Sequence, residues 1–391
     1  MNFEEPDHIR QLRDTLRRFV ENEMPRSAAQ VWDKENHFPR DVFEKLAELG
    51  VMGLTIPEEY GGFGRDIVAT MVVIEELSKR SMAVSIPYLN AACYAGMNLV
   101  ECGSEEQKKE LLPMVVEGSL QFAYGWTEPD IGADLASVKT TIHRDGDNLV
   151  VNGEKRFCSS AEFVEYIYVL ARSGEKEDRY KNLSFVMVPP SAPGVTITRI
   201  DAMGFKGPAT TDVHFDNVVV PASNLMGGEA GWNQGWSMLT GSGLDVEKLE
   251  VAAISLGVAQ AALDDAWVYA GERKQFGKTI DSYQSIQHKL AEMATQVHSA
   301  RLMLYHAAWM ADEERRCDLE TSMTKMYAAE VAKSVALECQ TIFGAYGYVK
   351  EVDTERYVRD ALVLPIFGGS TAIQKNNIYK SMKRRGGSLS T

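Results

Sequence analysis

The spacing of apolar positions changes period twice along the chain, and these changes divide it into three parts. In residues 6–25, Ile9, Leu12, Leu16, Phe19 and Val20 recur on one helical face, and Pro6 suits a first-turn position. Residues 40–49 repeat the pattern through Val42, Leu46 and Leu49, with Gly50 as a stop. The run Ile56–Gly64 is too rich in glycine for helix or strand. Further helices are expected at about 66–80 and 86–101. Ser104-Glu105-Glu106-Gln107 is a capping-box signature that opens another, running to about Val116.

From about 119 to 228 the period is two. Val138, Thr140 and Ile142 alternate with Lys139, Thr141 and His143. Asp145-Gly146 and Asn152-Gly153 are hairpin signals on either side of Asn148–Val151. Strands are expected at 166–171, 183–188, 195–200 and 212–220, with no helical pattern between them, which indicates an antiparallel barrel or sandwich. Helical spacing returns near 230 and predicts four helices, to near Tyr269, at 283–312, at 319–343 and at 371–384. The expected architecture is α+β and multidomain. It has an N-terminal helical domain (1–117), a middle antiparallel β-barrel or sandwich (118–228) and a C-terminal four-helix bundle (229–391).

Composition narrows the function classes. The 391 residues exceed one ordinary core, and 45% hydrophobic with 25% charged residues is a globular balance. A net charge of −14 argues against nucleic acid but leaves room for an anionic small ligand held by local Lys and Arg. The five cysteines form no CxxC, which fits a reducing compartment, and the seven histidines show no metal-ligand spacing. Met1–Pro6 lacks the basic start and apolar core of a signal peptide, so a cytoplasmic location is expected. The run Val251–Leu263 is short for a bilayer span. There is no P-loop, no GxGxxG after a strand and no GxSxG elbow.

The motifs lie elsewhere. Tyr124-Gly125-Trp126-Thr127-Glu128-Pro129-Asp130-Ile131-Gly132-Ala133-Asp134 opens the β-unit, and Asn152-Gly153-x-Lys155 and Phe215-Asp216-Asn217-Val218 follow within it. Glu272-Arg273-x-Gln275-Phe276-Gly277-Lys278, Phe343-Gly344-x-x-Gly347-Tyr348 and Arg359-Asp360-Ala361 come later. In this order, over essentially the whole chain, they resemble the acyl-CoA dehydrogenase family. The resemblance implies FAD as cofactor, an acyl-CoA substrate, an electron-transferring flavoprotein as partner, and a homotetramer built as a dimer of dimers. It puts Tyr124, Trp126 and Thr127 on the isoalloxazine and ribityl edge of the flavin. Phe157 and Ser159 fall near N5, and Ser370 also stands near the flavin. It makes Arg273 a pyrophosphate contact supplied by a neighbouring subunit, joined by Phe276, Gln284, Thr341 and Gly344. A guanidinium suits that task because its donors form a planar fork.

The family's reaction removes a proton from the α-carbon of a thioester while the β-hydrogen leaves as hydride. The base must be a carboxylate in a dry site, where burial raises its pKa. In many members it stands where this chain has Gly368, which has no side chain. A second group, resembling the isovaleryl-CoA and long-chain enzymes, carries it on the long helix after the β-unit, where this chain has Glu247. Gly368 keeps a backbone N–H as one donor to the thioester oxygen, in the oxyanion-hole sense. Leu244 and Asp245 resemble residues flanking the CoA arm, Lys248 replaces an arginine there, and Ala133 replaces a serine. Tyr88, Cys93 and Tyr94 stand on the helix that resembles the acyl-pocket lining. The implied function is FAD-dependent α,β-dehydrogenation of an acyl-CoA to the trans-2-enoyl-CoA. The alternatives are an enoyl-CoA reductase, an acyl-CoA oxidase, a flavin-bound lyase, or a flavin-binding relative without turnover. The acyl chain stays open among branched, long, cyclic and aromatic groups.

Overall fold

A computed structural model describes residues 4–241 and 243–388. Its first helix, α1 (Asp7–Glu23), buries the expected stripe of Ile9, Leu16, Phe19 and Val20. A helix that the apolar pattern does not mark, α2 (Arg26–Glu35), follows Pro25; it buries only Ala29 and Trp32, too few positions to set a period. After α3 (Arg40–Glu48), α4 (Ile67–Ser78) is capped by Asp66 and buried almost all round, including Glu75 and Glu76. Those carboxylates are paired rather than stranded. Arg13 Nη1 donates to both, at 3.1 and 2.7 Å, and Arg301 and Tyr305 also donate to Glu75. The network ties α1 and α4 to the later bundle.

Next, α5 (Met82–Tyr88) runs through a π-helical stretch, Leu89–Met97, into α6 (Asn98–Cys102). A wide turn of this kind is rare and concentrates at functional sites. The block ends with α7 (Glu105–Val116), where the Ser104–Gln107 capping box forms as expected.

The middle of the chain folds into β1 (Phe122–Gly125), β2 (Thr141–Asp145), β3 (Asn148–Lys155), β4 (Tyr166–Arg172), β5 (Leu183–Val188), β6 (Val195–Arg199) and β7 (Thr211–Pro221). They form one seven-stranded sheet in the order β1-β4-β2-β3-β7-β6, with β5 also on β4. The expected antiparallel pairing holds for β2–β3, β3–β7, β4–β5 and β6–β7. It does not hold for β1, which lies parallel to β4, nor for the single pair Thr141–Arg172 by which β2 also runs parallel to β4. β1 is joined to that strand by a long crossover instead of a hairpin, so the direction is free to match. β3 bulges at Gly153, whose φ is +143° and where a Cβ would stand 2.6 Å from Thr140 Cα, so there is no room for a side chain.

The last part contains α8 (Gly235–Leu239), α9 (Gly243–Glu272), a hairpin of β8 (Lys274–Gln275) and β9 (Lys278–Thr279), then α10 (Gln284–Asp312), α11 (Asp318–Phe343), α12 (Thr354–Val363) and α13 (Thr371–Arg384). The axis of the fold is α9, packed against α4, α10 and α11. The stretch 235–272, which contains α9, is long and apolar enough to cross a membrane by length and composition alone, but 72% of that apolar window is buried inside the bundle, which accounts for its character. Gly257 lets α9 reach α4: a Cβ there would stand 2.5 Å from the Glu75 carbonyl oxygen and 2.8 Å from Ser78 Cβ. Gly257→Val is therefore expected to destabilise the protein by about 1–3 kcal/mol, read as an earlier thermal or urea unfolding transition.

Candidate active site

Leu244, Glu247 and Glu250 recur every third residue at the start of α9, so they share a face. That face closes a cleft lined also by Cys93 and Met97 of the π-helical stretch, Asn98, Tyr124 and Trp126. Glu247 keeps an edge on the cleft but sits in low-dielectric surroundings. Burial pushes its carboxyl up to about 7, against the opposing pull of Lys248 and Lys325. Glu250 is 3% exposed. Burial, and then the neighbouring Glu247 charge, push it up to about 8, against a bond with Cys93. Its Oε2 has no hydrogen-bond partner among the described residues.

The opposite wall is aromatic. The Tyr124 ring stacks between Tyr94, at 3.7 Å between centroids, and Trp126, at 4.0 Å. Its hydroxyl accepts from Asn98 Nδ2 at 2.7 Å. The turn that follows is pinned by a buried ion pair, Lys155 Nζ to Glu128 Oε1 at 2.9 Å. Glu128 also accepts from the backbone N–H groups of Lys139 and Thr140. Burial alone would raise the Glu128 carboxyl, but Lys155 and these N–H groups hold it below the usual range. Arg156 N–H donates to the Thr127 carbonyl at 2.8 Å, which brings Thr127 beside the segment carrying Phe157 and Ser159.

A third wall is the turn between α12 and α13. Lys325 on α11 is fully buried, and its Nζ donates to the carbonyls of Leu364, Phe367 and Gly369 at 2.9, 2.8 and 2.9 Å. Burial lowers its pKa to about 8, although Glu247 and Glu330 pull the other way. Gln374 Nε2 bonds the carbonyls of Gly368 and Gly369. Gly368 has φ +59°, and a Cβ on it would meet Val251 Cγ2 at 2.8 Å. A carboxylate therefore has no room at this position.

Outside the cleft, a groove lined by Thr240, Asp245, Lys248, Lys380 and Arg384 shares Leu244 with it. Lys248 is 5% exposed and donates to Asp245 at 2.7 Å. Two residues expected at the substrate stand elsewhere. Tyr88 lines no cleft: its ring is fully buried in the core and its hydroxyl donates to the Val51 carbonyl. Ala133 lies on an exposed turn and lines neither cleft nor groove.

The remaining expected residues fall into two groups. Trp126, Thr127, Phe157, Ser159 and Ser370 lie on the walls and turns just described. Phe157 presents a 56% exposed ring at φ +61°. Trp126 Nε1 and Ser160 Oγ are buried without partners among the described residues. An aromatic face with spare donors fits a planar heteroaromatic ligand such as a flavin. Arg273, Phe276, Gln284, Thr341 and Gly344 gather at the far end of α9, α10 and α11, where Arg273 lies over the Tyr346 ring and Phe276 is 94% exposed. From Glu247 to Glu272 α9 runs about 38 Å. One chain therefore does not bring these two groups together. Among the described residues, no cluster of His, Cys, Asp or Glu could hold a metal ion.

Asn98, Glu250 and Lys325 join the site without having been read from the sequence. Glu250 left one signal, a charge inside the apolar run Leu249–Ala253; Asn98 and Lys325 left none.

Comparison with known proteins places these observations. Three family models match: the acyl-CoA dehydrogenase N-terminal domain over residues 6–119, the middle domain over 123–218 and the C-terminal domain over 233–383. An acyl-CoA dehydrogenase of Bacillus subtilis is 35% identical, over 94% of this chain and 96% of its own length. A subunit of the caffeyl-CoA reductase–Etf complex of Acetobacterium woodii is 34% identical, over 93% of this chain and 95% of its own. The structure of butyryl-CoA dehydrogenase from Megasphaera elsdenii superposes with a TM-score of 0.93 at 29% identity, covering 98% of this chain and all (100%) of that one.

Lys155→Met would leave Glu128 buried without its cation. A loss of about 3–5 kcal/mol in unfolding free energy is expected, measured by denaturant titration.

Proposed function

The chain belongs to the acyl-CoA dehydrogenase family, and from that premise we propose that Glu247 takes the α-proton of an acyl-CoA thioester as the β-hydrogen leaves. The cofactor is FAD, which when bound accepts that hydrogen as hydride. The observation that carries the reading is the pairing of a recessed Glu247 carboxyl, poised near neutral pH, with a Gly368 position closed to any other carboxylate. A base works best when its pKa lies near the working pH. The Gly368 backbone N–H is the donor for the thioester oxygen, and the Lys325 bonds hold its turn still. The CoA arm follows the groove past Leu244 and Asp245, with Lys248 held by Asp245 and Lys380 and Arg384 on the rim. The Tyr124 and Trp126 rings exclude water from the reacting carbons.

Trp126, Thr127, Phe157, Ser159 and Ser370 hold the cofactor from one chain. Arg273, Phe276, Gln284, Thr341 and Gly344 hold one from a neighbour. Support for this shared site is the length of α9, and it fits a homotetramer of two dimers. Electrons pass on to an electron-transferring flavoprotein, a reading supported by the Etf complex named for the Acetobacterium woodii relative. Run in reverse, the protonated carboxyl of Glu247 returns a proton to the α-carbon, so the redox partner sets the direction.

Glu247→Gln is expected to keep bound FAD while slowing anaerobic flavin bleaching by a good acyl-CoA by about 10²–10⁴-fold. Near-normal bleaching in that variant overturns the assignment. Adding Gly368→Glu should restore nothing, because Val251 occupies the space. In the wild type only the ionised base acts, and it gains population above its pKa. The bleaching rate should therefore rise with pH through a midpoint near 7.

A further inference from the structure

Glu250 has no task in the reaction proposed above, yet it is placed as if it had one. It stands one turn beyond Glu247 on the same face of α9, about 4.5 Å further along the axis. Leu244 marks the mouth, where groove and cleft meet. A thioester entering there with its α-carbon at Glu247 would carry its chain toward Glu250 within a few carbon–carbon bonds.

The surroundings are unusual for an alkyl tail. Three carboxylates line the cleft, Glu101, Glu247 and Glu250. Arg65 stands 3.9 Å from Glu101, and Lys248 and Lys325 act on Glu247 from behind the wall, but among the described residues no cation acts on Glu250. Glu101 lies toward the mouth, bonded to the Gly243 N–H. Glu250 is 3% exposed and lines this space; its carboxyl bonds Cys93, and its Oε2 has no hydrogen-bond partner among the described residues. A buried acceptor without a partner is costly, and an alkyl chain laid against it would seal that cost in. A carboxylate-ended chain would add a further negative charge. A hydroxyl would satisfy one oxygen and leave the repulsion between Glu247 and Glu250 in place. A cation does both. It satisfies Oε2, and it offsets the mutual repulsion that, with burial, holds Glu250 at about 8.

We infer that this cleft selects acyl-CoA thioesters whose acyl chain carries a protonated amine, with Glu250 as the residue that reads it. The inference rests on the acyl-CoA reading above. Binding and turnover are therefore tested separately.

Affinity is measured by calorimetry on FAD-loaded Glu247→Gln protein, which does not consume the ligand. The ligands are ω-amino, ω-hydroxy and methyl-ended CoA thioesters of one chain length. The ω-amino ester should bind about ten-fold or more tightly than the methyl-ended one. Adding Glu250→Leu should abolish that preference and improve the methyl-ended ester. Adding Glu250→Gln, which keeps the shape, should also lose the preference. The inference is overturned if the methyl-ended ester binds at least as well as the ω-amino ester. It is overturned too if the preference survives both substitutions, or if the ω-hydroxy ester matches the ω-amino one. Flavin bleaching in the wild type reads the other question. Tight, Glu250-dependent binding without bleaching would overturn the role of Glu247 and leave the tail preference standing. Failure of every thioester to bind overturns both.

Discussion

The ammonium of Lys325 has left water altogether, and three backbone carbonyls stand in for its hydration shell. Removing an ion from water is costly unless its bonds are replaced, so those carbonyls are held where the cation needs them. They belong to the turn between α12 and α13, which fixes how Gly368 faces α9. The same charge lies close enough to Glu247 to oppose the rise that burial imposes on its carboxyl. One cation thus sets both the shape of the wall that carries Gly368 and the proton affinity of Glu247 across from it. Lys155 and Glu128 do the equivalent for the aromatic wall, clamping the turn after Trp126 to β3. The cleft is built between two buried cations, each bound to backbone carbonyls.

Much of this plan can be read along the chain, and the limits of the reading have physical causes. The switch from helical spacing to alternation and back follows from which face of each element is buried, so the three-part architecture is visible. Glu247 and Gly368 are visible because motifs fix their places. Asn98 and Lys325 are not, because their meaning lies in bonds to Tyr124 and to the 364–369 turn, distant in sequence. Tyr88 is expected at the pocket because its helix resembles a pocket lining, but it precedes the π-helical stretch, and Cys93 and Met97 within that stretch line the cleft. The parallel setting of β1 against β4 is hidden for a similar reason. Alternation reports burial and is silent about strand direction.

Glu250 shows how the two kinds of information combine. In sequence it is one polar letter in an apolar run. In the fold that run is the central helix, so the letter becomes a carboxyl in a dry space beside another carboxyl. Two such groups titrate as a pair, and the proton that one gives up changes the hold of the other. Whatever contacts Glu250 therefore also acts on the proton affinity of Glu247.

The close approach of Val251 to Gly368 bears on how such a chain can change over generations. A glutamate at Gly368 meets both a left-handed backbone and a side chain 2.8 Å away, so it arrives unusable unless Val251 has already shrunk. Shrinking Val251 first opens a hole beside Gly368 with nothing yet to fill it. Each single step toward the other arrangement is a step down. On the proposed mechanism the position of the base is thus a historical commitment, and drift can explore what the cleft accepts more easily than where the proton goes.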